Sequence, residues 1–269
     1  MPYEEKKKPT NAARNPLVSV ITPLYNSEQF IEETIRSVQA QTYSHWEHII
    51  VNDASTDGSA GIVSKLADED PRIRFVDLTE NKGAAFCRNR ATELATGDLI
   101  AFLDSDDLWA PEKLERQLQF MEEHGLDVSY TSYVHMDESG KDLGKRIVAL
   151  PVLAYEKQLR NNYVGNLTGM YRAATLGKVL APNIRKRQDW AVWLEAISRS
   201  GKPAMGLDED LSRYRVRKGS ISANKWNLVK YNFKFYRDHL GYSWFKSVYW
   251  LSRFFAEYFF VRPKLIKKG

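Results

Sequence analysis

The run Leu99-Ile100-Ala101-Phe102-Leu103-Asp104-Ser105-Asp106-Asp107 sets five apolar residues directly ahead of three acids. An uninterrupted apolar stretch of this length suits a strand buried on both faces. The carboxylates that follow repel one another and need neutralising at the strand's end. A hard divalent cation shared with phosphate oxygens would do so. An Asx turn with solvated acids is the alternative, and the surrounding sequence has to decide.

Working outward, apolar strand patterns recur at residues 17–22, 46–51 and 73–76. Pro23 is expected to stop the first. Asn26 is expected to cap the next helix, with Gln29 three residues on. Helices are expected over 59–67 and 83–95, the latter followed by Thr96-Gly97-Asp98 and the strand into Asp104. Pro111 fits the first turn of a helix that turns Leu114, Leu118 and Met121 inward and ends at Gly125. Strands over 128–135 and 167–172 and a helix over 190–197 complete the pattern, while 136–165 carries no clear periodicity. Strand–helix alternation of this kind predicts an α/β fold with a Rossmann-like, mostly parallel sheet flanked by helices. Such sheets bind ligands outside the carboxyl ends of their strands. Pro23, Asp53 and Asp104 all fall on that rim.

With 269 residues, the chain is long enough for one large α/β domain plus an appendage. Its hydrophobic fraction is 43% and its aromatic fraction 12%, a globular balance with unusual aromatic weight. Cys87 is the single cysteine, so no intrachain disulfide framework is possible, in keeping with a reducing compartment. With no His nearby in sequence, Cys87 reads as a packed thiol. Residues 1–16, polar and lacking an apolar leader, read as a disordered tail. No window reaches the ~18 uninterrupted apolar residues of a membrane span.

The chemistry concentrates at the rim. Tyr25 could stack on a flat ring or sit in an ordinary strand-to-helix turn. In Asn52-Asp53-Ala54-Ser55-Thr56-Asp57-Gly58, Asp57 reads as the helix cap and Asp53 as an acceptor for a nucleobase N–H. Asn81-Lys82-Gly83 opens a helix carrying Arg88 and Arg90, and a helix N-terminus with arginines suits anionic phosphates. Neither Gly-x-Gly-x-x-Gly nor a phosphate-loop Gly-Lys-Ser/Thr follows the first strand, which argues against dinucleotides and ordinary triphosphate hydrolysis. The acids at 104–107 therefore sit beside a nucleotide pocket. Their hard oxygen ligands point to Mg2+ or Mn2+, and no Cys/His cluster supports zinc.

Val18-Ser19-Val20-Ile21-Thr22-Pro23-Leu24-Tyr25-Asn26, residues 51–59, Asn81-Lys82-Gly83 with Arg88-Asn89, and Phe102-Leu103-Asp104-Ser105-Asp106-Asp107 together resemble family 2 glycosyltransferases of the GT-A fold. The likeness spans residues 17–215 and extends to bacterial surface-polysaccharide enzymes of the teichuronic-acid and O-antigen type. It implies transfer from a nucleotide sugar, a UDP-sugar above all, to a hydroxyl of a polyprenyl-diphosphate-linked saccharide, with inversion. In that reading Thr22, Pro23, Tyr25, Asp53, Arg88, Asp104 and Ser105 contact the donor. Asp53 lies toward the base, Asp104 toward the ribose, and Asp106 holds Mn2+ or Mg2+. Asp107 has no assigned role beyond a possible cap for the Pro111 helix. Arg187-Gln188-Asp189-Trp190 matches the family's late acidic motif with Gln at its first position, which implies Asp189 as the base. From its sequence position alone, Asp189 could equally cap its helix.

Sugar-phosphate nucleotidyltransferases share this architecture, but a Gly-rich loop would be expected where the chain has Thr22-Pro23-Leu24-Tyr25. A processive membrane synthase is disfavoured by the lack of its Gln-x-x-Arg-Trp motif. A non-catalytic, membrane-associated nucleotide-sugar binder is the remaining alternative. From residue 216 onward a helical extension is expected. Past residue 225, cations and aromatics interleave, opposed only by Asp238 and Glu257. Trp244, Val248, Leu251, Phe255 and Tyr258 mark a helical stripe. Such a segment could dock on the catalytic domain or lie in an anionic membrane interface. Nucleic acid is not the expected partner, since the rim already accounts for a nucleotide. The expected location is cytoplasmic, peripheral on the inner face of the cell membrane.

Overall fold

The computed structural model describes residues 15–217 and 225–268, so nearly all of the expected N-terminal tail lies outside the described residues. The chain begins β1 (Val18–Leu24), α1 (Ile31–Gln39), β2 (Trp46–Asn52), α2 (Ser59–Glu69), β3 (Ile73–Asp77), α3 (Ala84–Leu94) and β4 (Leu99–Phe102). These four strands pair in parallel in the order β3-β2-β1-β4. Every residue of β1 and β4 is buried, as strands covered on both faces require.

Alternation along these strands sorts the core into two layers. Ile21, Ile49, Ile100 and Phe102 pack on one face with Cys87 and Ala91 of α3. Val18, Val20, Leu99, Ala101 and Leu103 pack on the other. Cys87 is fully buried there, and burial pushes its thiol up to about 12, an inert packing residue.

Next come β5 (Leu108–Trp109), α4 (Lys113–Glu123), β6 (Val128–Met136), β7 (Asp142–Ile147), β8 (Val152–Leu153) and α5 (Tyr155–Arg160). β9 (Met170–Arg172), α6 (Ala173–Leu176), α7 (Gln188–Ser200) and β10 (Ala204–Arg215) follow. Past β4 the sheet becomes mixed: β9 joins β4 and β6 antiparallel, β7 joins β6 antiparallel, and β10 runs parallel to β6. The parallel expectation thus describes the N-terminal half. The unpatterned stretch 136–165 turns out to hold the turn after β6, the largely exposed β7, β8 and α5.

Three local expectations need correcting. β1 does not stop at Pro23. Ile21 O accepts from Leu103 N, and Leu24 O from Asp53 N, so Pro23 shares Ile21's side and faces the point where β4 has already ended. A missing N–H costs nothing there. Asn26 does not cap α1; it adopts φ 46° and its Oδ1 accepts from Thr56 N, tying the β1 and β2 loops together. The strand expected over 167–172 begins only at Met170, because Asn166–Thr168 forms a 3-10 turn.

The C-terminal segment contains α8 (Lys225–Lys234), α9 (Trp244–Ala256) and β11 (Ile266–Lys268), which pairs antiparallel with β7. One side of it docks. Phe235 stacks on Trp190 of α7 with ring centroids 4.5 Å apart, and Tyr236 Oη donates to Leu159 O at 2.9 Å. The buried carboxylate of Glu257 accepts from Lys157 Nζ and Tyr163 Oη, anchoring the end of α9 to α5. The expected stripe does not face inward as a unit. Ser247 and Phe254 are the buried positions of α9, whereas Trp244 and Val248 face solvent.

Candidate active site

The C-terminal ends of β1, β2 and β4 meet at a cleft of about 340 Å³ lined by Pro23, Tyr25, Asp53, Arg88, Asp104, Ser105 and Asp106. Tyr214 and Arg217, at the end of β10, form another wall. Seven of the residues singled out in sequence therefore share one cavity.

Each is held by its own contacts. Asp53 is buried, and its two carboxylate oxygens accept the backbone amides of Lys82 (2.6 Å) and Gly83 (2.9 Å). It thereby fixes the loop that opens α3, where Gly83 takes φ +88°, a conformation natural to glycine. Arg88 Nη2 donates to Asp104 Oδ1 at 2.9 Å, and Asn166 Nδ2 donates to the same oxygen at 3.2 Å. Ser105 Oγ lies 2.8 Å from Ser27 Oγ. Asp106 Oδ2 accepts from Arg217 Nη1 at 3.2 Å. Burial, and then the charge of Asp104, raise the Asp106 carboxyl above its ordinary range, with Arg217 opposing.

Asp107 does not cap the Pro111 helix. Its buried Oδ1 accepts from the backbone N of Arg215 at 2.8 Å, joining the acidic turn to β10. Arg215 completes the clamp: Nε donates to Asp106 O at 2.7 Å and Nη2 to Glu33 at 2.6 Å. Tyr214, Arg215 and Arg217 escaped the sequence reading. The basic–aromatic alternation Arg213-Tyr214-Arg215-Val216-Arg217 was the available signal.

Two sequence candidates lie outside the cleft. Thr22 is fully buried; its hydroxyl donates to Leu103 O at 2.8 Å and lies 2.8 Å from His48 Nε2. It braces the strand below the site and does not line it. Asp189 sits in the first turn of α7, where Arg187, at φ 72°, precedes the helix without a side-chain cap. The Asp189 carboxylate does not cap the helix either; Oδ2 accepts from Asn162 Nδ2 at 2.8 Å. Its neighbour Gln188 lines a second cavity that shares Ala84 and Arg88 with the cleft.

Among the described residues, no cluster of three His, Cys, Asp or Glu side chains could hold a metal alone. The desolvated carboxylate of Asp106, with Asp104 beside it, instead offers a partial oxygen site that phosphates would complete. That donor set suits Mg2+ or Mn2+.

The model of glycosyl transferase family 2 matches residues 19–179. The chain is 47% identical over 223 residues to the putative teichuronic acid biosynthesis glycosyltransferase TuaG of Bacillus subtilis, covering 83% of this chain and 88% of that protein. It is 36% identical over 214 residues to WfgD of Escherichia coli, a UDP-Glc:alpha-D-GlcNAc-diphosphoundecaprenol beta-1,3-glucosyltransferase, covering 80% and 83%. The S. aureus TarS 1-349 structure in complex with UDP-GlcNAc shares the fold, with a TM-score of 0.70 at 23% identity over 92% of this chain and 74% of that one. The matched segment takes in β1, β2, β4 and the acidic turn between them and β10, and the chain belongs to glycosyl transferase family 2 as a glycosyltransferase.

Proposed function

We propose that the chain is a metal-dependent, inverting transferase that moves a hexosyl group from a UDP-sugar to a hydroxyl of a polyprenyl-diphosphate-linked saccharide. The setting is bacterial surface-polysaccharide synthesis at the inner face of the cell membrane. The observation that carries this reading is the gathering of Asp53, Arg88, Asp104 and Asp106 in one cleft at the strand ends. The relative WfgD, whose name specifies a UDP-glucose donor and a diphosphoundecaprenol acceptor, supports the substrate classes.

Tyr25, 49% exposed at the mouth, is available to stack on the base. Asp53 keeps lone pairs beyond its two backbone contacts for a nucleobase N–H. Asp104, fixed by Arg88 and Asn166, faces the ribose, and Pro23 and Ser105 complete that wall. Asp106 would hold Mn2+ or Mg2+ together with donor phosphates, and the bound ion would offset the charge of the departing diphosphate. Arg217 adds a fixed cation on the same side.

Asp189 would take the proton of the acceptor hydroxyl as that oxygen attacks the anomeric carbon. Asn162 engages Oδ2, which leaves Oδ1 for the proton. One displacement with one base inverts the anomeric centre.

Among the described residues no helix is long and apolar enough to cross a membrane. A peripheral contact is supported by the outer face of the C-terminal segment, where Phe245, Phe259 and Phe260 are 80%, 61% and 71% exposed. Aromatics beside Lys246, Arg253 and Lys264 suit an anionic interface. The test is a panel of nucleotide sugars with Mn2+, Mg2+ or EDTA, read by release of nucleoside diphosphate and by the anomeric configuration of the product. Activity with UDP-sugars that EDTA abolishes is expected. Undiminished turnover in EDTA, or a retained configuration, would reject the mechanism.

A further inference from the structure

Two further cavities adjoin the cleft in series. The first, about 880 Å³, shares Ala84 and Arg88 with the cleft and runs from Lys82 and Gly83 past Asn89 to Arg185 and Gln188, next to Asp189. The second, about 400 Å³, shares Asn183, Ile184 and Arg185 with the first. It lies between the segment that leads into α7 and the last turns of α8.

This second cavity is strongly cationic. Arg185, Lys186, Lys230 and Lys234 line it, and Asp238 is the one carboxylate among its described lining residues. Lys230 and Lys234 are one helical turn apart on the cavity's side, a mildly unfavourable like-charge pair that an anion would relieve, with Asp238 four residues beyond Lys234. Lys186 Nζ stands 4.9 Å over the Tyr231 ring, which holds it at the wall. The buried ring of Phe235 forms an apolar patch of the lining. Its volume lies within the roughly 300–1,000 Å³ typical of small-ligand sites. None of these cations is among the residues lining the donor cleft.

We propose that this cavity binds the diphosphate of the acceptor lipid. The inference rests on the acceptor class given above. A sugar–diphosphate–prenyl diester keeps two negative charges between its polar and apolar ends. With the diphosphate on Arg185, Lys230 and Lys234, the attached sugar extends into the larger cavity toward Gln188 and Asp189. The donor sugar approaches from the Asp106 side. Arginine matches paired phosphate oxygens with its planar fork, and the lysines supply point charges.

Farnesyl diphosphate is a soluble probe of this chemistry, titrated into the full-length protein by calorimetry. The expected result is saturable binding, weaker for farnesyl monophosphate and not displaced by UDP. Lys230→Gln/Lys234→Gln should weaken it about tenfold or more, because charge-assisted contacts are lost. UDP affinity should stay within about twofold, as expected of independent sites. Both lysines are exposed, and unchanged thermal melting confirms an intact fold. Arg185→Gln, a separate variant, should weaken the probe as well.

Unchanged probe affinity in both variants, or displacement of the probe by UDP, overturns the proposal. So does loss of binding to phosphatidylglycerol vesicles with probe affinity intact, since the cations would then serve lipid headgroups. Release of UDP from UDP-glucose without acceptor reports on the donor half alone. Its absence would count against the transferase reading and leave the diphosphate result standing by itself.

Discussion

His48 offers a quantitative test of how the site's floor is built. It lies on β2, fully buried, with Nε2 2.8 Å from Thr22 Oγ1. Thr22 spends its single proton on Leu103 O, so Nε2 must carry the hydrogen and donate. Nδ1 is then the unprotonated nitrogen, and it has no partner. Protonation would place a cation in the apolar core with an unanswered N–H. Burial accordingly lowers the imidazole from its usual 6.5 to about 3, with Asp70 opposing weakly.

The unfolded chain binds this proton below about pH 6.5 and the folded chain does not, so stability must fall as pH falls through that window. At pH 5 the loss is about 2 kcal/mol, from ~1.36 kcal/mol per pH unit over about 1.5 units. That figure requires only that the folded value lie below 5. His48→Gln keeps a donor for Thr22 but does not titrate. Denaturant unfolding of both proteins at pH 8 and pH 5 isolates the effect, because the other histidines contribute equally to each. The stability of the native protein relative to the variant should drop by about 2 kcal/mol between the two pH values. A pH-independent difference would refute the buried neutral ring.

Other consequences follow from named contacts. Asp106→Ala and Asp189→Asn should each cut transfer by roughly 10²-fold or more with melting unchanged; full activity in either would remove that residue from the mechanism. Truncating residues 225 onward would expose Trp190, so the membrane contact is better tested by changing Phe245, Phe259 and Phe260 to Ser. That variant should sediment less with phosphatidylglycerol vesicles while keeping soluble-substrate turnover; undiminished sedimentation counts against the interface. Gly169→Ala would set a methyl carbon 2.2 Å from the Trp193 ring and should cost about 1–3 kcal/mol of stability; an unchanged denaturant midpoint would show that the packing is looser than described.

The strand ends were readable because β1, β2 and β4 are buried on both faces and leave long apolar runs that stop abruptly in polar residues. Thr22 was misplaced for a reason of the same kind. Proximity to a strand end suggests the rim, but alternation turns its hydroxyl down onto His48. β10 left no comparable trace. Its pairing with β6 shifts register between Leu207 and Asp210 and again between Asp210 and Arg213, which breaks the two-residue period that sequence patterns depend on. Tyr214, on that strand, and Arg217, just past its end, line the cleft, so this wall was invisible in the sequence. β7 is polar and mostly exposed, and burial gives it no pattern to read.

The acidic turn becomes intelligible once these two halves meet. A strand end with three neighbouring carboxylates is unstable by itself, and the fold treats each acid differently. Asp107 is withdrawn into the interior and held by the Arg215 backbone. Asp104 is paired with Arg88 from α3. Asp106 faces the cleft with a 3.2 Å contact to Arg217 and two acidic neighbours. The parallel half of the sheet supplies the acids, and the end of the bulged strand supplies the Arg215 backbone amide to Asp107 and, just past it, the Arg217 guanidinium to Asp106. Asp106 is the acid of the three that is largely desolvated yet makes its side-chain contact to a cation at the cleft wall, Arg217. Its burial beside Asp104 supports the proposal that Asp106 is the cation-facing residue.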